Sequence, residues 1–309
     1  MAFLRLLASI RTPFLDAVMQ FFTYFGEELL FMVLALVVFW CVDKKKGYYI
    51  LSVGFFGTIV NQFLKLWFRI PRPWVRDPGF SIVESARAGA TGYSFPSGHT
   101  QNVVGTFGCV ARFTKRRWLR VVCILLPLLV AFSRMYLGVH TPLDVGVSFV
   151  IAVALVLGLY PLMERTDKNP KIMPTLLGIM LAVNVAYVLF VKLYPFPADL
   201  DAANYTEGVK NGYTLLGALL GLLAVYFIDT KKVHFQEAAP FLGQLLKVVL
   251  GLTGILIIKQ GLKPVFAALF PDMLFPNAIR YFCIVLFAGG VWPLTFPFFT
   301  RLGKKKEAA

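Results

Sequence analysis

The sequence has few charged residues, which account for only 15% of its 309 positions, whereas about 25% is usual in soluble domains. Hydrophobic residues account for 58%, and 30 of them are phenylalanine. This composition excludes an intrinsically disordered chain, which requires low hydrophobicity. It also leaves too few polar side chains to cover the surface of a soluble enzyme. An all-α, polytopic transmembrane helical bundle is therefore predicted.

Acidic residues are the scarcer charged class, with 16 Asp and Glu against 31 Lys and Arg, so the formal net charge is +15. A basic chain can bind nucleic acid, but the sequence contains no nucleic-acid-binding fingerprint, and no such partner is predicted. Basic loops that remain on the cytoplasmic side of a membrane explain the excess better.

Residues that commonly bind metals are also few, with three histidines and four cysteines. The cysteines lie in or beside apolar runs, and neither metal-ligand spacing nor a paired framework is present. We therefore expect them to be small packing residues. The sequence predicts no metal site and no other cofactor.

Nine apolar runs approach the length of about 20 residues that crosses a bilayer core. They cover residues 26–42, 47–68, 98–113, 118–138, 142–163, 172–192, 211–228, 241–260 and 278–299. Residues 1–25 differ, because large apolar side chains recur there at helical spacing around Asp16 and Gln20. This pattern predicts an amphipathic helix in the membrane interface, with a tenth crossing as the alternative.

The basic residues form five clusters between these runs and at the end of the chain. The clusters are Lys44, Lys45 and Lys46; Arg112, Lys115, Arg116, Arg117 and Arg120; Arg165, Lys168 and Lys171; Lys231 and Lys232; and Arg301, Lys304, Lys305 and Lys306. With nine spans, all five fall on one face, which the positive-inside rule makes cytoplasmic. The loops at 69–99 and 133–142 would then lie together on the outer face.

The first of these loops begins with two cations near the end of the second span, Lys65 and Arg72. Pro71 and Pro73 are predicted to stop the helix, because the residue before a proline is pushed out of the α region. Arg72 would then be held at the membrane surface between two stiff residues. Taken alone, the pair also suits side chains that snorkel at a span end.

The second motif is Pro96-Ser97-Gly98-His99, at the start of the third span. Ser97 is a favourable N-cap, and Gly98 allows close approach to the backbone. The free N–H groups of a helix N-terminus can bind an anion. A capped helix start with an interfacial histidine is the alternative.

The third motif runs from Ser133 to Asp144 and contains Arg134 and His140. Pro142 and Asp144 are typical of the first turn of a helix, so capping alone could explain the acid. The spacing of His140 and Asp144 also permits a hydrogen bond between them. That bond would fix the imidazole tautomer and leave the other ring nitrogen free to attack.

Together the three motifs read Lys-x6-Arg-Pro, Pro-Ser-Gly-His and Ser-Arg-x5-His-x3-Asp. This set resembles the three-part signature of the type 2 phosphatidic acid phosphatase superfamily, over residues 26–163. The resemblance implies that His140 attacks phosphorus, that Asp144 orients it, and that His99 protonates the leaving group and then activates water. It also implies a metal-independent phosphate site, whose residues are Lys65, Arg72, Ser97, Gly98 and Arg134.

The predicted organisation is an interfacial helix over 1–25, a phosphatase core over 26–163, and additional transmembrane helices with a basic tail over 164–309. A site at the outer boundary suits a phosphorylated lipid as substrate, either a monophosphate or a diphosphate. A cell membrane with an extracytoplasmic site is predicted, with an endoplasmic reticulum enzyme and a lumenal site as the alternative.

Three alternatives remain at this point. A lipid phosphotransferase would use the same intermediate, and a lipid transporter or scramblase would place the function in residues 164–299. The third is a catalytically inactive lipid-binding protein, although the intact motifs argue against it. A homodimer is a separate expectation, because Gly217 and Gly221 have the small-xxx-small spacing of closely packed helices. The same spacing would also serve packing within 211–299.

Overall fold

The computed structural model describes residues 1–198 and 200–302, and within these ranges the chain is helical and contains no strand. Lys304, Lys305 and Lys306 of the last basic cluster lie outside the described residues. The helices are α1 (Ala2–Ser9), α2 (Pro13–Thr23), α3 (Glu28–Cys41), α4 (Lys44–Phe68), α5 (Pro73–Arg76), α6 (Gly98–Phe113), α7 (Arg117–Tyr136), α8 (Pro142–Arg165), α9 (Ile172–Leu193), α10 (Ala202–Ile228), α11 (Phe241–Leu269), α12 (Pro276–Leu286) and α13 (Phe296–Phe299).

Eight of the nine predicted spans fall on one helix each, and 278–299 covers α12 and α13, but nine crossings are not confirmed. In the described ranges, seven helical segments are long and apolar enough to cross a membrane. An eighth results if Pro13–Gly26 and Glu28–Cys41, which meet at a bend of 48°, form one broken span. A count of nine requires α6 to cross the membrane, and this helix is short. Helix α6 has 16 residues and rises only about 24 Å, which is less than the hydrocarbon thickness.

The N-terminal segment is not the single helix that its apolar spacing predicts. It forms α1 and α2, and the interfacial position of the segment is not confirmed. The break lies at Thr12 and Pro13: the Thr12 hydroxyl accepts a hydrogen bond from the Leu15 N–H (3.3 Å), and Pro13 takes the first helical position. Threonine followed by proline is a helix-start signal that the periodicity alone does not reveal.

Residues 1–34, 49–164 and 193–208 form one compact unit. An apolar cluster in this unit joins α1, the loop after α5 and the end of α7; its buried members are Leu4, Leu7, Phe80, Ile82, Ala86, Ala90, Tyr136, Leu137 and Val139. The Arg11 guanidinium supports it by donating hydrogen bonds to the carbonyls of Tyr136 (2.8 and 3.0 Å) and Ser81 (2.8 Å). The loop before α6 is thereby fixed to the end of α7.

A second compact unit comprises residues 35–48, 165–192 and those from 209 onward. Gly217 and Gly221 face Ala278 and Val285 here, and a Cβ on Gly217 would overlap the Ala278 backbone. The small-residue spacing thus serves packing within the chain, while dimerisation stays a prediction. Lys247 is fully buried in this unit, and its ammonium donates to two backbone carbonyls.

Candidate active site

The three predicted motifs meet in the first unit because consecutive helices reverse direction. His99 lies at the start of α6, which packs against α7, and Arg134 lies in the last turn of α7. His140 follows at once, and its N–H, like that of Val139, approaches the Arg134 carbonyl (3.3 and 3.2 Å). His99 is close enough to Arg134 and His140 for electrostatic interaction with both. The two histidines therefore share one site.

The His140 ring is 1% exposed and has a defined tautomer. One Arg72 guanidinium nitrogen lies 2.8 Å from Nε2. Because arginine only donates hydrogen bonds, Nε2 must be the accepting nitrogen, and the proton is assigned to Nδ1. Burial lowers the pKa of His140 well below its usual value, and Arg72, Arg134 and Lys65 lower this pKa further. The ring is thus a neutral base with its Nε2 lone pair directed at a cation.

The predicted hydrogen bond between His140 and Asp144 is not formed, since Nδ1 and Oδ2 are 3.6 Å apart. Asp144 Oδ2 instead accepts hydrogen bonds from the Ser94 hydroxyl (2.6 Å) and the Thr141 N–H (2.7 Å). The Asp144 N–H in turn approaches the Thr141 hydroxyl (3.3 Å), which completes a reciprocal helix cap. The Ser97 N–H also donates to the Asp144 carbonyl (3.1 Å). Asp144 therefore ties the second motif to the start of α8.

Lys65 and Arg72 are buried, at 8% and 6% exposure, and both are held by backbone carbonyls of one short segment. Lys65 donates to the Tyr93 carbonyl. Arg72 donates to the Thr91 carbonyl and, through Nε, to the Gly92 carbonyl (3.0 Å). The two cations are thus oriented without a direct ion pair among the described residues. Residues 91–93 were not singled out from the sequence, because backbone acceptors have no side-chain signature.

Arg134 is 1% exposed and has only part of its hydrogen-bonding capacity filled. One terminal nitrogen donates to the Thr23 hydroxyl (2.6 Å). The Nε and the other terminal nitrogen have no partner among the residues that the structure describes. A buried charge without compensating partners is costly, so this guanidinium is suited to bind an anion. Thr23 belongs to α2, which the sequence analysis placed outside the phosphatase core.

Ser97 and Gly98 form the predicted helix start. Ser97 is the N-cap of α6, and its hydroxyl accepts from the N–H (3.4 Å) and the hydroxyl (3.0 Å) of Thr100. No described atom lies within 4 Å of the position that a Cβ on Gly98 would occupy, so the backbone is open on this side. Gly26 has the opposite surroundings, because a Cβ there would lie 2.8 Å from the His99 Cβ. No local pattern around Gly26 indicates this contact with a residue 73 positions away.

The acidic, histidine and cysteine side chains of the described ranges form no group of three or more that could hold a metal ion. All four cysteines are free thiols, and two of them, Cys109 and Cys123, are buried, as expected for packing residues.

Two family models match the chain. Residues 45–168 match the model described as PAP2 superfamily, and residues 213–306 match the model described as PAP2 superfamily phosphatase, transmembrane extension. The chain belongs to the PAP2 superfamily. The first match contains the three motifs of the site, and the second accounts for a part of this PAP2 protein that the motif resemblance does not cover.

Curated relatives divide into short and long alignments. Undecaprenyl-diphosphatase BcrC of Bacillus subtilis is 28% identical over 145 residues, covering 46% of this chain and 71% of the relative. Phosphatidylglycerophosphatase B of the same organism is 29% identical over 161 residues, covering 47% and 74%. Sphingosine-1-phosphate phosphatase 1 of Rattus norvegicus is 28% identical over 264 residues, covering 79% and 59%. No solved structure matches the chain significantly.

Proposed function

We propose that this PAP2 protein is a multi-pass membrane phosphatase that hydrolyses a lipid phosphate or diphosphate through a phosphohistidine intermediate. The observation that carries the proposal is the buried Arg134 guanidinium, which has two nitrogens without a partner among the described residues and interacts electrostatically with His140 and His99. Arginine binds two phosphate oxygens at once in this geometry. The names of the relatives agree, since each names a phosphatase of a lipid phosphate or diphosphate.

In the first half-reaction, the His140 Nε2 lone pair attacks phosphorus while the bond from phosphorus to the lipid oxygen breaks. Arg72 would leave Nε2 and bind a phosphate oxygen, because an anionic oxygen is a stronger acceptor than a neutral imidazole. His99 donates a proton to the departing oxygen, so that a monophosphate releases the lipid alcohol and a diphosphate releases the lipid monophosphate. His140 then carries the phosphoryl group, and Asp144 lies 3.6 Å from its Nδ1 to offset the positive charge.

In the second half-reaction, His99 is neutral and accepts a proton from a water molecule. The oxygen of that water attacks phosphorus, the bond between phosphorus and Nε2 breaks, and free phosphate leaves. His140 and His99 return to their initial states. Throughout, Lys65, Arg72 and Arg134 stabilise the charge on the equatorial oxygens, assisted by the Ser97 hydroxyl and the Gly98 N–H.

The position of the histidines at helix ends supports a lipid substrate. His99 begins α6 and His140 precedes α8, and α8 is apolar enough to cross a membrane. A phosphate head group at such a boundary reaches the site while its hydrocarbon chains remain in the bilayer. The charge pattern of the loops favours the outer face of a cell membrane.

The direct test measures phosphate release in detergent from a panel of lipid phosphates and diphosphates, by wild-type protein and His140→Asn. We expect the variant to lose at least about 10³-fold in kcat, because the nucleophile is removed. A radioactive phosphate label on the protein should disappear in the same variant. Adding an acceptor lipid separates hydrolysis from phosphotransfer.

His234→Asn is the matched control. His234 is exposed, lies in the second unit and has a positive φ of 46°, which asparagine tolerates. We expect this variant to retain wild-type turnover. Phosphate release that survives His140→Asn, or activity restricted to short water-soluble phosphates, would contradict the proposal.

A further inference from the structure

Glu207 lies directly behind the segment that holds the two phosphate-binding cations of the first motif. It belongs to the N-terminal part of α10, in the first unit. Its Oε1 accepts a hydrogen bond from the Thr91 hydroxyl (2.9 Å), and the Thr91 carbonyl accepts one from Arg72. A single residue thus joins the carboxylate to the guanidinium.

Gly92 gives a second link between Glu207 and Arg72. The Gly92 carbonyl accepts from the Arg72 Nε (3.0 Å), and a Cβ on Gly92 would lie 3.7 Å from Glu207 Oε2 and 3.9 Å from Asn204 Oδ1. The carboxylate therefore lies against the far side of the backbone that orients Arg72. It is close enough to interact electrostatically with both Arg72 and Lys65.

An aromatic series fixes the segment that leads to Glu207. The Trp67 ring, near the end of α4, lies 5.7 Å from the Tyr194 ring; Tyr194 lies 4.9 Å from Phe196, and Phe196 lies 5.8 Å from Tyr205. Ring contacts of this kind hold neighbouring segments together in addition to the apolar area they bury. The start of α10 is thus anchored to the helix that carries Lys65, and the position of the carboxylate follows.

The proposed reaction gives Glu207 no chemical step, yet its charge acts on the phosphate site. Asp144 also interacts with Lys65 and Arg72, but it caps α8 and faces His140. Glu207 instead lies against Thr91 and Gly92, which orient Arg72, and its negative charge there reduces the attraction of the site for anions. The reduction is larger for a substrate that carries more charge, because the Coulomb energy scales with the product of the charges.

We propose that Glu207 is a specificity-determining residue that disfavours diphosphates relative to monophosphates at this site. The inference rests on the proposed phosphatase function and concerns the choice between lipid monophosphates and lipid diphosphates as substrates. Glu207 lies between the residues that match the two family models. The inference therefore gives this intervening part of the chain a role in substrate selection.

Two substitutions separate the charge of Glu207 from its hydrogen bond. Glu207→Gln removes the charge, while the amide oxygen still accepts from Thr91. Thr91→Val removes the hydroxyl and leaves the charge. The measurement is kcat/KM for farnesyl phosphate and farnesyl diphosphate in the same detergent micelles, since these substrates share one hydrocarbon chain. For Glu207→Gln we expect the diphosphate-to-monophosphate ratio to rise by about threefold to tenfold.

For Thr91→Val we expect both values to fall together with the ratio unchanged, because the orientation of Arg72 serves both substrates. Glu84→Gln is the matched control. Glu84 is an exposed acid in the loop that contains Thr91, and it forms an ion pair with Arg87 (2.7 Å). The diphosphate-to-monophosphate ratio of this variant should equal that of wild type. An unchanged or lower ratio in Glu207→Gln, or an equal rise in Glu84→Gln, would overturn the inference.

Comparison of His140→Asn with Glu207→Gln separates this inference from the proposed function. If phosphate release does not depend on His140, the proposed function fails and the specificity inference fails with it. If phosphate release depends on His140 but the diphosphate-to-monophosphate ratio is unchanged in Glu207→Gln, the phosphatase proposal stands and Glu207 is only a structural residue.

Discussion

At the scale of single residues, the site orients its three cations through neutral hydrogen-bond partners. Lys65 and Arg72 donate to backbone carbonyls, and Arg134 donates to the Thr23 hydroxyl. A carboxylate in direct contact would neutralise each cation and compete with phosphate for the same hydrogen bonds. A carbonyl or hydroxyl orients the side chain and leaves its charge available. This explains how three buried cations can converge near one histidine.

Arg134→Lys tests whether the guanidinium geometry matters beyond its charge. Lysine keeps one positive charge but cannot present two parallel donors to a phosphate. We expect kcat/KM to fall by about 10²–10³, the usual cost of removing one transition-state donor. The measurement is phosphate release from the preferred lipid phosphate.

Arg165→Lys is the control for this substitution, because Arg165 is an exposed residue at the end of α8. Its kcat/KM should stay within about twofold of wild type. If Arg134→Lys were equally active, the two unpartnered nitrogens would not be the phosphate contact, and the main support for the proposed function would be lost.

At the scale of helices, the N-terminal segment contributes two residues to the candidate site, which its apolar pattern does not predict. Its apolar spacing predicts an interfacial helix, but α2 supplies Thr23 to Arg134, and Gly26 follows, packed against His99. Both residues are small and stand in a run of aromatic side chains. Their importance arises from contacts with residues more than 70 positions away, which local periodicity cannot report.

Close helix packing in the second unit gives a prediction at the same scale. Gly217 on α10 lies so near Ala278 on α12 that an added Cβ would overlap the Ala278 backbone. We expect Gly217→Ala to lower the free energy of unfolding by about 1–3 kcal/mol, because a backbone neighbour cannot move aside as a side chain can. Thermal unfolding in a fixed detergent should show a reduced Tm.

Gly261→Ala on α11 makes the same chemical change where no described atom lies within 4 Å of the new Cβ. It should leave Tm unchanged or raise it, since alanine favours a helix over glycine by about 1 kcal/mol. Equal Tm values for the two variants would show that the packing at Gly217 is looser than described.

At the scale of the whole chain, the sequence predicts correctly those structural features that depend on residues close together in the chain. The apolar runs gave the helices, Ser97 was correctly predicted as the N-cap of α6, and Pro142 begins α8 as expected. The spacing of His140 and Asp144 permits a hydrogen bond between them, and the family resemblance implies that Asp144 orients His140. That hydrogen bond gave way to the helix cap with Thr141, because a backbone N–H at the helix start competes for the same carboxylate oxygen.

The parts that were missed share a different cause. Residues 91–93 act through their carbonyls, and Ser94 acts on Asp144 through a contact between positions 50 apart. Neither kind of contact leaves a pattern in the sequence. The apolar pattern predicts nine membrane crossings, whereas α6 has only 16 residues and is shorter than the seven helical segments that are long enough to cross.

Cysteine labelling on either side of α6 tests the crossing and the orientation together. Ala88 lies in the loop before α6 and Lys115 in the turn after it, and both are exposed. In a background in which the four native cysteines are alanine, we expect Ala88→Cys to react with a membrane-impermeant maleimide on intact cells. Lys115→Cys should react only after permeabilisation, because the basic turn stays cytoplasmic. Phosphate release confirms that each variant is folded.

Labelling of both positions from outside would mean that α6 does not cross the membrane. The reverse labelling pattern would place His99 and His140 on the cytoplasmic face, and the proposed access of substrate from the outer face would then be wrong.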